Sequence, residues 1–596
     1  MISWRGKYSV ASDNVVIKKL FFKLLPVQIM LIGMGSINSI IDGTIAGRYI
    51  DERTVGVIGL FFVIVTIVSA ISSVILGGAA VLSGNYIGTG EIEKANGVYS
   101  LCILLSLMLG VITTVVCFCF PEQIAIFCGS DESLKESVAQ YSRGYSLGFI
   151  PMFLSAPFSH YLQIENQSKR NYIGVVVTII FNITLNVIFI TVLDMGVIGL
   201  AYATSACNWI FFLILSSYYF SNKAQLTFSV GNILWKKTIE LIKIGSPGAL
   251  LEFLLAANGL TINRIILRFG GEPALSARAS LNMLGGIFVA LGMGCGTVIR
   301  TLSSVYVGEE DRDSIKYLIK LALTKVMAMM FAIMFIMMLL SGPMALIFFP
   351  DHTSDAYILT KQQYLIYALA LPLILLVQVQ TNYLQSTKNN IAVQVSSIVD
   401  GYFGTVIPAL ILAPIIGILG IWWSDFIGGL ITAMVYPVYA VFYWKHIPKN
   451  KDEWLLFRDD FGVKDDDRLC IEITGMEDVI GSSERIQKYV TDKKYSGRIA
   501  YFSALAMEEM AGNIVRHGFN ADNKKHGLDV RVISTKNGIM LRIKDDCKPF
   551  DPVEISRIFN SEDMSKNIGI RMISKIADEF TYQNMFGLNV LTIVIK

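Results

Sequence analysis

The chain has 596 residues, 53% of them hydrophobic and only 16% charged, with a mean hydropathy of +0.55. That balance excludes a single soluble core and reads as a membrane-embedded protein. The formal net charge of +3 is spread thinly, without the basic block of a nucleic-acid binder, so nucleic acid is excluded as the main partner.

The N-terminal arm (1–20) carries Arg5, Lys7, Lys18 and Lys19 before a first apolar run. The run lacks a small-residue cleavage pattern and leads into more membrane, so a retained first span is expected rather than a removed signal. A spanning helix needs roughly 20 apolar residues. By that measure twelve spans are predicted, centred near Ile32, Ile67, Ser106, Phe153, Ile180, Leu213, Ala256, Val289, Met330, Leu371, Tyr402 and Thr432. The predicted order is a first six-helix bundle (21–221), a linker (222–240), a second six-helix bundle (241–445), a linker (446–468) and a small domain (469–596).

Polar landmarks recur at an offset of 220 to 222 residues. "GRYIDERTVG" (47–56) matches "LRFGGEPALS" (267–276), "SGNYIG" (83–88) matches "SSVYVG" (303–308), "HYLQ" (160–163) matches "NYLQ" (382–385), and Asp131 matches Asp351. Internal repeats of this kind specify two equivalent halves. Six spans per half is an even number, so both halves enter the membrane in the same direction. They are then related by an axis along the membrane normal, as in transporters that hold their site between the halves. Lysine and arginine gather on the side of the N-terminal arm, between spans six and seven (Lys223, Lys236, Lys237, Lys243) and after span twelve (Lys445, Lys449, Lys451). Both termini are therefore expected to be cytoplasmic, with the chain in the cell membrane.

Ionisable groups inside greasy spans are costly and are functional candidates by default. Asp42 in span one is the first. Asn182 and Asn186, four apart on span five, share a helix face, and Thr204 on span six is placed to meet them. Glu252, Asp400 and Asp425 are the candidates in the second half, with Arg264 either neutralising Glu252 or snorkelling to the surface. The eight cysteines and five histidines show no ligand spacing.

On the motifs "SIIDGTIAGRYIDERTVGVIGL" (39–60), "GNYIGTGEIEKAN" (84–96) and "NITLNVIFITVLDMGVIGLAYATS" (182–205), residues 15–445 resemble the multidrug and toxic compound extrusion (MATE) family. The resemblance implies a V-shaped pair of six-helix bundles that exports amphipathic or cationic small molecules in exchange for protons or sodium. It also implies that Asp42 serves the coupling ion together with Asn182, Asn186 and Thr204. The second of these positions is an acid in one branch of the family and Asn186 here, leaving one carboxylate where that branch has two. Glu252 resembles a span-seven glutamate of another branch, whose partner acid on span ten is absent.

After residue 465 the pattern changes. "ERIQKYV" and "GRIAYFSALAMEEMAGNIVRHG" have helical period, "LDVRVIS" (528–534) and "IMLRIKD" (539–545) alternate around an Asn537-Gly538 turn, and "NVLTIVIK" adds a strand. A small α/β sandwich follows. Glu509 and Asn513 lie four apart on one helix face, where an amide oxygen can ligate Mg²⁺ and a carboxylate can act as base. Asp545 ends a strand, and Gly569 opens a helix whose amides can receive phosphate.

Together these resemble the boxes of the histidine-kinase-like (Bergerat) ATP fold, in its anti-sigma-factor serine-kinase branch. The resemblance makes Glu509 the catalytic base, Asn513 the Mg²⁺ ligand, Asp545 the adenine contact and Gly569 the phosphate contact of a bound Mg-ATP. Two glycines of the pattern are replaced, by Cys547 and Asn567. No GxxxxGK[ST] motif occurs, so ATP is not expected to drive a transport stroke. The leading expectation is a cation-coupled antiporter regulated through its tail. The alternatives are a membrane sensor whose tail phosphorylates a small cytoplasmic regulatory protein, and a lipid-precursor flippase.

Overall fold

The computed structural model describes residues 15–50, 52–128, 130, 134–221, 224–459, 461–520, 525–535, 538–557 and 568–596. Arg5, Lys7, Asp131, Lys223, Asn537 and Asn567 lie outside the described residues.

Among the described residues, 11 helices are long and apolar enough to cross a membrane. Span one is Val15–Tyr49, span two Glu52–Thr89 and span three Ile92–Cys119. Spans seven and eight fall within Thr238–Gly308, which breaks at Gly271 (φ 64, ψ −162), a conformation that glycine adopts without a side-chain penalty. Spans nine to twelve follow, ending with Ile418–Trp444. The predicted fourth span is present but divided into Lys135–Ser146 and Phe149–Ile164. Its division has a local cause. Pro151 has no amide hydrogen for the carbonyl of Leu147 four residues before it, and the indole of Trp209 on span six donates to that carbonyl instead, at 2.9 Å.

Apolar side chains cover the outside of the helices: Leu339 is 81% and Phe442 79% exposed. Only a hydrocarbon surrounding makes that surface stable. Inside, the packing divides by depth. One hydrophobic core joins both bundles at the ends nearest the tail, from Leu20 and Leu82 of the first half to Leu302 and Tyr383 of the second. At the opposite ends each bundle keeps a core of its own, around Phe61 and Phe149 in the first and around Ile266 and Trp422 in the second. The two halves therefore meet on the tail side and separate on the far side.

The meeting line runs through the repeated motifs. A side chain on Gly88 would strike the backbone of Val305 and Gly308, one on Gly308 would strike that of Asn85, and one on Gly84 would strike the Cβ of Ser304. "SGNYIG" thus packs on its own repeat "SSVYVG", as small residues allow between membrane helices.

The tail is a two-layer domain. Its sheet has the order β1-β2-β3-β5-β4, all neighbours antiparallel: β1 Arg468–Ile473, β2 Leu528–Thr535, β3 Gly538–Asp545, β4 Glu579–Met585 and β5 Leu588–Ile595. Helices Met476–Asp492, Gly497–Asn513 and Ile568–Ile576 cover one face, burying Ile486, Met507, Met510 and Ile573 against Leu469, Val530, Leu541 and Ile593. The opposite face carries Arg468, Asp529, Arg531, Arg542 and Lys544 and lies against the membrane part. The β2–β3 hairpin and β5 match the sequence pattern. The edge strands β1 and β4 were not visible in it.

Candidate functional site

Span one places Asp42 inside the first bundle, buried to 8% exposure. Three side chains expected near it converge on its carboxylate. Asn182 Nδ2 donates to Oδ1 at 3.1 Å, Asn186 Nδ2 donates to the same oxygen at 2.7 Å, and Thr204 Oγ1 donates to Oδ2 at 3.3 Å. The helical spacing of the two asparagines stacks their amides on one face, and both are buried. Their own Oδ1 atoms are buried as well and accept no hydrogen bond among the described residues. The pocket therefore holds one carboxylate on two amides and a hydroxyl, and carboxylate and amide oxygens are the hard ligands that small cations take.

The acids of the second half do not assemble in this way. Glu252 on span seven is half-buried, and Arg264 is exposed without an ion pair to it. Asp400 lies within hydrogen-bond reach of Thr432. Asp425 is held by Arg278, with Nη1 to Oδ2 at 2.5 Å and Nη2 to Oδ1 at 3.4 Å. That arginine was missed by sequence reasoning, although a charged residue within a long apolar helix was the signal that could have found it.

In the tail, Glu509 and Asn513 stand one turn apart on Gly497–Asn513, both partly exposed. Gly569 lies in the first turn of Ile568–Ile576, and a side chain there would collide with the Glu509 carboxylate. The glycine makes room for Glu509 over the helix terminus. Asp545 ends β3, where its Oδ1 accepts from the Cys547 amide at 2.9 Å and from Asn589 Nδ2 at 2.7 Å. Burial pushes its carboxyl above the usual range, against the pull of those two bonds.

Asn589 is fixed in turn by Tyr582 and Asn584, each donating to its Oδ1 at 2.7 Å. This buried support was missed because Tyr582 and Asn584 sit on the unseen strand β4. Cys547, where the family pattern has glycine, packs its Sγ against Gly518, a position where an added Cβ would come within 2.9 Å of that sulfur. The substitution is thus absorbed beside the site. These groups fit a nucleotide: a buried carboxylate fixed by two donors, an amide and a second carboxylate one turn apart on one helix, and the first turn of another helix beside that carboxylate.

Comparison with known proteins finds two families along the chain. The MatE family profile matches residues 4–188 and 247–407, and the histidine kinase-like ATPase domain profile matches 491–595. Multidrug export protein MepA of Staphylococcus saprophyticus is 25% identical over 424 residues, covering 67% of this chain and 89% of that protein. Probable multidrug resistance protein YoeA of Bacillus subtilis is 21% identical over 299 residues, 48% of this chain and 64% of that protein.

Among solved structures, the outward-facing conformation of a multidrug resistance MATE family transporter of the MOP superfamily superposes with a TM-score of 0.66 at 18% identity. It covers 72% of this chain and 97% of that one. A MOP superfamily transporter from Pyrococcus furiosus, described as having a binding pocket of reverse polarity, gives 0.65 at 19% identity over the same shares. The tail is a histidine kinase-like ATPase domain. With the family profile spanning both six-helix halves and the halves meeting along their repeated motifs, the chain belongs to the MatE family.

Proposed function

We propose that the protein is a cation-coupled antiporter of the cell membrane, with both termini in the cytoplasm. It exports amphipathic or cationic small molecules by alternating access, and its tail binds Mg-ATP and regulates the cycle. The observation that carries this reading is the Asp42 pocket. A buried carboxylate held by three donors supports binding and release of a single-charge cation. Proton and sodium both satisfy the charge, and the gradient that drives movement distinguishes them. Glu252 and Asp400 are assigned to the substrate side of the cavity. Asp425, neutralised by Arg278, is assigned to holding the second bundle together.

In the tail, Asn513 is assigned to the Mg²⁺ of the nucleotide, Glu509 to the catalytic base, Asp545 to the adenine amino group and Gly569 to the approach of phosphate. The bound nucleotide would supply a change of charge and order beside Asp545. A second reading, a tail that phosphorylates a serine on a small regulatory protein, is favoured by the position of Glu509 over the Gly569 turn. The deciding experiment is movement of a fluorescent cationic dye into proteoliposomes under an imposed sodium or proton gradient, with and without Mg-ATP. Asp42→Asn is expected to abolish gradient-driven movement while leaving nucleotide binding unchanged. Unaltered movement would remove Asp42 from the coupling.

A further inference from the structure

The polar face of the tail's sheet is matched, residue by residue, to the ends of both bundles. On the second half, the connection after span eight presents Glu309, Asp311 and Asp313, spaced two apart. Across the strands, Arg468 of β1 pairs with Asp313 at 2.8 Å, Arg531 of β2 with Asp311 at 2.6 Å, and Lys544 of β3 with Glu309 at 2.5 Å. Arg531 faces Arg542 directly in the ladder, so without the acids these like charges would repel.

On the first half, Gln583 donates to the Ile87 carbonyl at 3.3 Å, and Lys19 pairs with Asp546 at 2.8 Å. The turn between β4 and β5 enters the membrane part's own core. Met585 and Phe586 belong to the cluster that joins the two bundles, the Phe586 amide donates to the Ile164 carbonyl, and Lys23 donates to the Phe586 carbonyl at 3.3 Å. Ile87 and Glu309 flank the point where Gly88 and Gly308 bring spans two and eight together.

We infer that the tail is a clasp: its sheet docks on both bundles at once across this seam and holds the tail side closed, so that the transporter opens to the tail side only when the sheet lets go. A domain bound to one half would ride with it. One bound to both, on either side of the line along which they must part, opposes the parting by the free energy of docking. This inference rests on the alternating-access reading above. Asp546, which takes the Lys19 contact, adjoins Asp545 of the nucleotide site, so the clasp and that site share one strand end.

The test uses the full chain in proteoliposomes, with Lys544→Glu, Glu309→Lys and the double exchange. Amide hydrogen exchange reports docking (residues 528–545) and the seam (83–88 and 303–308), and dye movement reports transport. Each single variant is expected to lose protection at both segments and to raise the initial transport rate at least threefold, while the double exchange restores all three. Protection of the helix-covered strand β5 serves as the check that the tail remains folded. If docking protection falls and the seam stays protected, the clasp is wrong. If dye does not move in any variant, the transport reading fails, and exchange at the seam still decides the clasp. Lys544→Met, which removes the charge without reversing it, gives the same ordering at smaller size should Lys544→Glu unfold the tail.

Discussion

Asp42 and Asp425 are both carboxylates within spans, the first buried and the second half-buried, yet their surroundings ask different things of them. Asp42 is held only by neutral donors, so its charge stays available to an arriving cation. Asp425 has spent its charge on Arg278. Asn186→Leu removes the shortest bond to Asp42, at 2.7 Å. A partner that orients a ligating carboxylate is typically worth about 10–100-fold in ion affinity, so the ion concentration for half-maximal transport should rise about tenfold or more, read as the sodium dependence of initial dye movement. An unchanged half-point would mean that Asn186 is not a ligand. Arg278→Met should lower stability by less than the about 3–5 kcal/mol lost when a fully buried pair is broken, because it strands a half-buried charge. Adding Asp425→Leu should recover most of that loss in a thermal melt of the detergent-solubilised protein, and failure to recover would assign Arg278 a role beyond pairing.

At the scale of elements, spans two and eight are set by what their glycines leave out. Gly88→Val puts a carbon bearing two methyl groups where the backbone of Val305 and Gly308 already lies. Overpacking of this kind costs about 1–3 kcal/mol. Here the strain is relieved by moving the bundles apart on the tail side, so hydrogen exchange at 303–308 should rise while the far-side cores keep their protection. Uniform loss of protection would instead mean general unfolding.

This packing was largely legible in the sequence, since the repeat that announced two halves is the same set of small residues that joins them. The break in span four was not, because it depends on Trp209 replacing the donor that Pro151 lacks. The edge strands were also hidden. β1 and β4 each have a neighbour on one side only, and the polar residues of β4 face a buried network instead of water. Helical spacing put the two asparagines of the Asp42 cluster on one face, and the resemblance to the MATE family, not spacing, joined them to Asp42. The Arg278–Asp425 pair spans 147 residues of sequence, over which no spacing rule operates.

For the whole molecule, the alternation of the tail's strands told which residues face away from their own helices, but not whether water or another part of the chain receives them. The contact that receives them is titratable, and Asp529 is its weak point. Its Oδ1 is buried and accepts nothing among the described residues, with the charges of Arg531 and Lys544 acting on it from its own sheet and those of Asp311 and Glu309 from the membrane part. Burial pushes its carboxyl up against the pull of Arg531 and Lys544, with those two acids adding to the rise. Asp311 goes the other way: burial opposes its charge, and Arg531 and Lys544 overcome that and hold it well below the usual carboxylate range.

The signs follow separately. Asp311 contributes to docking at every pH above its ordinary value of about 4 and loses that contribution only as pH falls through its depressed value. Asp529, with a raised value, contributes below about 4 and loses that contribution as pH rises through its docked value, so at neutral pH its charge works against the clasp. Docking should therefore tighten as pH is lowered from 7 toward about 4 and weaken only in stronger acid. Asp529→Asn should tighten docking at neutral pH and flatten the response in between, measured as protection of residues 528–545 in the full chain. If Asp529→Asn loosened the sheet instead, its carboxylate would be a partner in the contact, and the clasp would owe its strength to a charge that burial opposes.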